Sequence, residues 1–198
     1  RNIHERLYPA SLTKIMTCLL VLEAVDSGSL TMDTVLTASE LAVASIPADG
    51  STAGLKVGEE LTVEELLYCI MLSSANEGCN ILAEGVAGSI DAFVAQMNSR
   101  AAALGCEDTH FVNTNGLPDD DHYTTAWDLY LITREARKHP DFMPIVGTAF
   151  HEVPATNLSE PRNLRSTNYL ISSWYTRGYL YKGAEGIKTG STSAAGYC

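Results

Sequence analysis

The strongest constraint on the fold is the apolar run that begins at Pro9-Ala10-Ser11-Leu12-Thr13-Lys14-Ile15-Met16-Thr17-Cys18-Leu19-Leu20 and ends at Asp26-Ser27-Gly28. Ile15, Cys18, Leu19, Leu22 and Val25 fall on one stripe at helical spacing, which predicts a helix over residues 11 to about 27 with that stripe on a core. On such a helix Ser11 and Lys14 share a face, so the hydroxyl and the amine can touch. A serine needs a base to become a nucleophile. Lysine serves only when its pKa is drawn far below the ordinary value of about 10.4, by burial or by nearby positive charge. The start of a helix adds unsatisfied N–H groups and a partial positive charge, both suited to an oxyanion beside Ser11. On its own the tetrad says little, because a helix start with a solvated lysine carries the same letters.

Two further motifs change its weight. Ser74-Ala75-Asn76 follows, and Lys188-Thr189-Gly190 comes near the end of the sequence. In that order, Ser-x-x-Lys, Ser-x-Asn and Lys-Thr-Gly are the signatures of the serine β-lactamase and penicillin-binding protein group. Longer stretches agree. Tyr8 to Thr17 resembles the nucleophile segment of the D-alanyl-D-alanine carboxypeptidases of the low-molecular-weight penicillin-binding type. Asn115-Gly116-Leu117 and His122-Tyr123-Thr124-Thr125-Ala126 resemble that family's middle segment. Gly186 to Thr192, with Ala195-Gly196-Tyr197, resembles its Lys-Thr-Gly strand. The similarity runs from one end of the chain to the other.

The resemblance implies an α+β, β-lactamase/transpeptidase-like fold: an antiparallel sheet flanked by helices, plus an all-helical lobe, with the cleft between them. Residues 1–198 would form a single catalytic domain, lacking outer sheet strands at both ends. Family roles carried onto matching positions make Ser11 the nucleophile toward a D-Ala-D-Ala bond and Lys14 its base. Ser74 would relay the proton from Lys14 to the leaving amine, and Asn76 would hold Lys14 and the substrate amide. Lys188 would keep the site positive and lower the pKa of Lys14, and Thr189 would bind the terminal carboxylate. Gly190 would leave room for a substrate strand, and the N–H groups of Ser11 and Ser191 would form the oxyanion hole. The implied partners are a peptidoglycan stem peptide ending in D-Ala-D-Ala and β-lactam antibiotics as covalent inhibitors. No cofactor and no metal are called for. The implied location is extracytoplasmic, with any membrane contact made through a segment absent from this chain.

Charge excludes one class of partner. The net charge of −11 over 198 residues gives neither the basic face that nucleic acid requires nor a polybasic patch for an anionic membrane. Cys18, Cys69, Cys79, Cys106 and Cys198 are odd in number and show no zinc-type spacing, so they read as mostly buried thiols without a disulfide framework.

Elsewhere the reading is coarse. Residues 31–41 look like a connector with one helical turn, and residues 46–58 are a loop that, in the resembling family, rims the cleft. Thr62 with Glu65 forms a capping box for a helix to Ser73, and Ser74-Ala75-Asn76 sits on the turn before a helix from about Glu77. There Asn76 either faces the cleft or simply caps that helix. Ser89 caps a helix to Leu104 with Gly105 as its stop, Thr125 caps another to about Lys138, and residues 141–148 form a helical turn. Phe150 to Pro154 is a short strand, and Leu158 to Ser166 a polar loop. Tyr179–Tyr181 and Glu185–Ser191 form a hairpin leading into the Lys-Thr-Gly strand.

Other chemistries compete. His122 with Asp119, Asp120 or Asp121 could complete a triad with Ser11, although Ser11 already has a lysine at the right spacing. The acidic run lacks the spaced ligands of a calcium loop. A class A-like β-lactamase needs a glutamate to activate water, and Glu160-Pro161-Arg162-Asn163 matches that loop poorly. A non-catalytic penicillin-recognising receptor or scaffold would keep the cleft and lose turnover.

Overall fold

The structure is a computed structural model that describes residues 2–174, 176 and 178–198. A 3₁₀ turn, Ala10–Thr13, leads without a break into helix α1, Lys14–Asp26. Every residue from Lys14 to Leu22 is buried, so α1 is enclosed on all sides and is not the one-striped helix that the spacing predicts. The reason is its company. Helices α3 (Val63–Leu72), α4 (Asn76–Ala87), α5 (Ile90–Ala103), α6 (Ala126–Ala136) and α7 (Phe142–Val146) all pack against it. Leu19, Leu22, Leu66, Leu67, Ile70, Leu82, Phe93 and Phe142 fill this lobe, and full burial of one such side chain contributes about 1.5–3 kcal/mol.

The predicted caps are present. Thr62 Oγ1 accepts from Glu65 N at 3.2 Å, Ser89 Oγ from Ala92 N at 3.2 Å and Thr125 Oγ1 from Asp128 N at 3.0 Å. The box at Thr62 is one-sided, because the Glu65 carboxylate turns instead to His151 Nε2 at 2.8 Å. Gly105, at φ +83°, ends α5 as expected.

The sheet is three antiparallel ribbons of two strands each. Strand β1 (Val35–Thr37) pairs with β2 (Glu60–Thr62), β3 (Phe150–Val153) with β4 (Arg162–Arg165), and β5 (Ser191–Thr192) with β6 (Gly196–Tyr197). A further helix, α2 (Glu40–Ala44), follows β1 and is capped by Ser39, whose Oγ accepts from Ala42 N at 2.9 Å. Helices beside small antiparallel ribbons make this an α+β fold, as expected. Three local expectations fail. The connector expected over 31–41 contains strand β1, held by its pairing with the distant Glu60–Thr62. The polar loop over 158–166 contains β4, whose ladder from Phe150↔Arg165 to Val153↔Arg162 buries Leu164. Arg162 there pairs with the fully buried Glu59 at 2.6 Å. No hairpin joins 179–181 to 185–191 among the described residues. The Lys-Thr-Gly segment pairs forward instead, with Gly190 and Cys198 exchanging backbone bonds of 3.1 and 2.8 Å. Upstream, Asn168 Nδ2 donates to Gly186 O at 2.9 Å and takes the place of a strand partner.

The cysteines divide. Cys18, Cys69 and Cys79 are buried, Cys106 is half-buried and Cys198 is exposed, all as free thiols. Trp127 and Trp174 are 41% and 58% exposed, so neither is a core residue. Among the described residues no helix is long and apolar enough to cross a membrane.

His122 lies 1% exposed under the nucleophile turn. Its Nδ1 accepts from Val112 N at 3.1 Å, which leaves Nε2 as the protonated nitrogen donating to Thr13 Oγ1 at 2.8 Å. Burial brings its pKa down to about 4, opposed by Asp119. The imidazole is therefore neutral at pH 7 and holds Thr13; it makes no bond to Ser11, and the triad is not formed. A folded-state pKa below the ordinary 6.5 means that protonation favours the unfolded chain, so this contribution is complete above pH 6.5 and is lost as pH falls to about 4. Urea unfolding at stepwise lower pH should show wild type losing about 3 kcal/mol more than His122→Gln across that window.

Candidate active site

Ser11 lies in the 3₁₀ turn and Lys14 is the first residue of α1. In a 3₁₀ turn residues i and i+3 eclipse, which brings the pair together more directly than an α-helix would. Lys14 Nζ stands 3.0 Å from Ser11 Oγ, 2.8 Å from Asn76 Oδ1 and 2.7 Å from the backbone oxygen of Asn115. The last two atoms only accept, so each takes an N–H from Nζ. In the neutral amine the third direction is the lone pair, and it points at Ser11 Oγ. Ser74 Oγ donates to Ser11 Oγ at 2.8 Å. Ser11 is thereby placed to give its proton to Lys14 while accepting one from Ser74. Ser74 reaches Ser11 and not Lys14, so the direct bridge from Lys14 expected of it is absent in this state.

Burial brings Lys14 down to about 8, against the opposing influence of Cys79 and Glu77. Lys188 is brought to about 7, by burial first and by the Lys14 charge second. Burial is thus the largest cause for each lysine, and the repulsion between them disfavours the doubly charged pair. Lys188 Nζ donates to Thr189 O at 2.9 Å, and the residue is only 9% exposed.

Backbone strain frames Ser11. Ala10 and Ser74 have φ of +48° and +60°, a region that costs non-glycine residues about 1–3 kcal/mol each. Gly116, at φ +92°, lies so close that a Cβ there would overlap the Ala10 carbonyl. This approach is what carries Asn115 O to Lys14. A Cβ at Gly190 would lie 3.1 Å from Pro9 O and 3.3 Å from Ser11 N. Its missing side chain therefore makes room for the turn that carries Ser11, a nearer neighbour than the substrate strand expected there, and brings Ser191 beside Ser11.

Two cavities meet at Ser11. One, of about 260 Å³, runs between the 46–58 loop, Asn76, Gly116 and Ser191. The other, of about 450 Å³, is bounded by Ser74, Thr167, Tyr169, Thr189 and Gly190. The rim expected of the loop is present through Pro47, Asp49, Gly50 and Ser51. A cavity of about 500 Å³ lies elsewhere, among Arg6, Tyr8, Asp120 and Tyr123, and no serine or lysine lines it. Asn76 does not cap α4. The cap position is Ala75, without a side-chain bond, and the Asn76 amide goes to Lys14. Ser11, Lys14, Ser74 and Asn76 form one bonded group, and Thr189, Gly190 and Ser191 line the cleft beside it; Lys188 stands behind, outside both cavity linings.

Two contributors, Thr167 and Asn168, escaped the sequence reading, and the role of a third, Asn115, was not seen although its motif was. Asn115 acts through its carbonyl, which no side-chain pattern reports. Thr167 bonds Thr189 Oγ1 at 2.6 Å, and Asn168 anchors Gly186. The last two lie in a stretch without periodicity, where only pairing with the Lys-Thr-Gly segment reveals them.

Residues 1–198 match the family described as D-alanyl-D-alanine carboxypeptidase. D-alanyl-D-alanine carboxypeptidase DacF of Bacillus subtilis is 38% identical over 198 residues, which is all of this chain and 48% of that protein. Among solved structures, the Streptomyces K15 DD-transpeptidase superposes with a TM-score of 0.86 at 31% identity, covering 98% of this chain and 75% of that one. The carboxypeptidase DacD from Francisella tularensis gives 0.85 at 28%, covering 100% and 57%. The chain spans about half the length of the curated relatives it matches.

Gly116→Ala should force the Ala10 and Asn115 backbones apart. The expected result is a loss of about 2 kcal/mol or more in unfolding free energy, measured by denaturant titration at pH 7.

Proposed function

The chain belongs to the D-alanyl-D-alanine carboxypeptidase family, and from that premise we propose that residues 1–198 are a single catalytic domain that removes the terminal D-alanine from peptidoglycan stem peptides through an acyl-enzyme on Ser11. The observation that carries this reading is the hold on Lys14 Nζ. Two acceptor-only partners orient the amine so that its lone pair faces Ser11 Oγ at 3.0 Å.

In the first half-reaction the Ser11 Oγ–carbon bond forms as its proton passes to Lys14 Nζ. The tetrahedral oxyanion is held by the N–H groups of Ser11 and Ser191, where losing one donor typically costs about 10²–10³ in rate. As the carbon–nitrogen bond breaks, the Ser74 hydroxyl, which like Lys14 Nζ lies within 3.0 Å of Ser11 Oγ, gives its proton to the leaving D-alanine amine and takes the one held on Lys14. Asn76 binds the substrate amide as well as Lys14. Thr189, at the wall of the larger cavity, takes the terminal carboxylate, with Lys188 behind it as the positive charge. Water, deprotonated by Lys14, then attacks the ester and releases the shortened peptide with Ser11 restored. A β-lactam opens on the same serine, but its amine stays tethered, so the adduct persists. The substrate is a wall component, which places the working enzyme outside the cytoplasmic membrane.

A class A-like β-lactamase finds less support. Glu160 is exposed and lines neither cavity at Ser11, and the one acidic residue that does, among the described residues, is Asp49 on the rim loop. A receptor without turnover is separated by experiment. Intact mass after benzylpenicillin should rise by one adduct, mapped to the peptide bearing Ser11 and absent in Ser11→Ala. D-alanine release from a D-Ala-D-Ala peptide should follow. An adduct without release would favour the receptor, and a folded chain without an adduct would remove Ser11 from the role.

The working protonation state has Lys14 neutral to accept a proton and Lys188 charged, the minor tautomer of a singly protonated pair whose proton rests mostly on Lys14. The two lysines, brought to about 8 and about 7, lose two protons in succession and titrate as a pair. Dependence of kcat/KM on pH should therefore be bell-shaped, rising as the doubly charged form disappears near pH 7 and falling as the last proton leaves above about pH 8.

A further inference from the structure

Glu77 follows Asn76 in α4 and has no part in the scheme above. It is 2% exposed. Its Oε1 accepts from Thr52 Oγ1 at 2.7 Å, from Ala53 N at 2.8 Å and more loosely from Leu55 N at 3.4 Å. Its Oε2 is buried with no hydrogen-bond partner among the described residues. A buried carboxylate with one oxygen unsatisfied is costly, and such groups are kept where they do something.

All the donors to Glu77 come from one short segment of the cleft rim. That segment continues from Ser51, whose carbonyl accepts from Asn76 N at 2.9 Å. Gly50 just before it lies so near that a Cβ would stand 3.1 Å from Asn76 Nδ2. The Asn76 amide is therefore confined between the rim loop on one side and Lys14 on the other.

We propose that Glu77 is a positioning residue: it clamps the rim segment 52–55 to the first turn of α4 and thereby holds Asn76 Oδ1 against Lys14 Nζ. Its consequence for turnover rests on the proposed function; the clamp itself does not. The electrostatics agree with the geometry. The groups bearing on Lys14 are Glu77 and Cys79 from α4 and Lys188 from the Lys-Thr-Gly segment. Of these, Cys79 and Glu77 both favour the charged form of Lys14, so removing the Glu77 charge should make Lys14 easier to deprotonate.

The test uses two readouts that need no reaction: amide exchange at Ala53 N–H, and the titration of Lys14 followed by NMR of ¹³C-labelled lysine. Glu77→Ala should speed Ala53 exchange by about tenfold or more. Glu77→Gln keeps an acceptor at Oε1, so it should preserve most of that protection while moving the Lys14 midpoint down by about half a pH unit. Thr52→Val removes one clamp bond and no charge, and should speed exchange with the Lys14 midpoint unmoved; it and Glu77→Gln decide the matter if Glu77→Ala does not fold. Penicillin acylation should then slow about tenfold in Glu77→Ala, and its pH profile should shift to lower pH in Glu77→Gln. Unchanged Ala53 exchange in Glu77→Ala or Thr52→Val, together with an unmoved Lys14 midpoint in Glu77→Gln, overturns the proposal. If wild type forms no penicillin adduct at all, the proposed function fails, and the exchange and titration results still decide the clamp.

Discussion

An amine buried without solvent is the constraint on which the rest of the structure depends. Lys14 is fully enclosed at the head of α1, and a buried ammonium is tolerated only with its donors satisfied or its proton surrendered. The fold supplies two fixed acceptors, Asn76 Oδ1 and Asn115 O, and one convertible partner, the Ser11 hydroxyl. This arrangement is satisfied in both protonation states. With its proton, Nζ donates to all three atoms. Without it, Nζ accepts from Ser11. A group stable in either form shuttles a proton without rearrangement, which is the requirement of general base catalysis.

That arrangement has a conformational cost. Ala10 and Ser74 occupy left-handed backbone on either side of Ser11, and Gly116 is pressed onto the Ala10 carbonyl. Strain of this kind persists only where surrounding structure over-determines it. Here the surroundings are the enclosed α1 and the helices packed round it. His122 adds to them from below by holding Thr13, the last residue of the strained turn. The helical lobe is thus the rigid body against which a strained turn is held, in addition to being a wall of the cleft.

Sequence and structure agree where one local rule decides the outcome. Thr62, Ser89, Thr125 and Gly105 behave as caps and stop because capping depends on a few neighbouring residues. The three motifs converge because each carries its own side-chain chemistry. Agreement fails where the deciding partner is remote. The single stripe expected on α1 became burial on all sides, because five helices surround it. The 158–166 stretch reads as polar loop, yet its Arg162 pairs with Glu59 and its Leu164 is buried, neither visible from local composition. Lys188 was given the task of lowering Lys14, whereas the largest cause is burial, a property of the whole lobe. Asn115 was noticed as part of a motif, but its contribution is a carbonyl that any residue would have offered in that place; the specific demand falls on Gly116.

The bonded group around Ser11 draws on the start of the chain, on the turn before α4 and on the Asn115–Gly116 loop, and the cleft is closed by the Lys-Thr-Gly segment near the other end. These pieces are far apart in sequence, and contacts of that kind form late because the chain entropy of closing long loops comes first. The Ser11 environment described above therefore needs all four pieces at once. With Ser11 reacting as proposed, a covalent label on it would count only chains in which all four pieces have met, and would double as a gauge of folding blind to compact intermediates that pass for native by helix content alone.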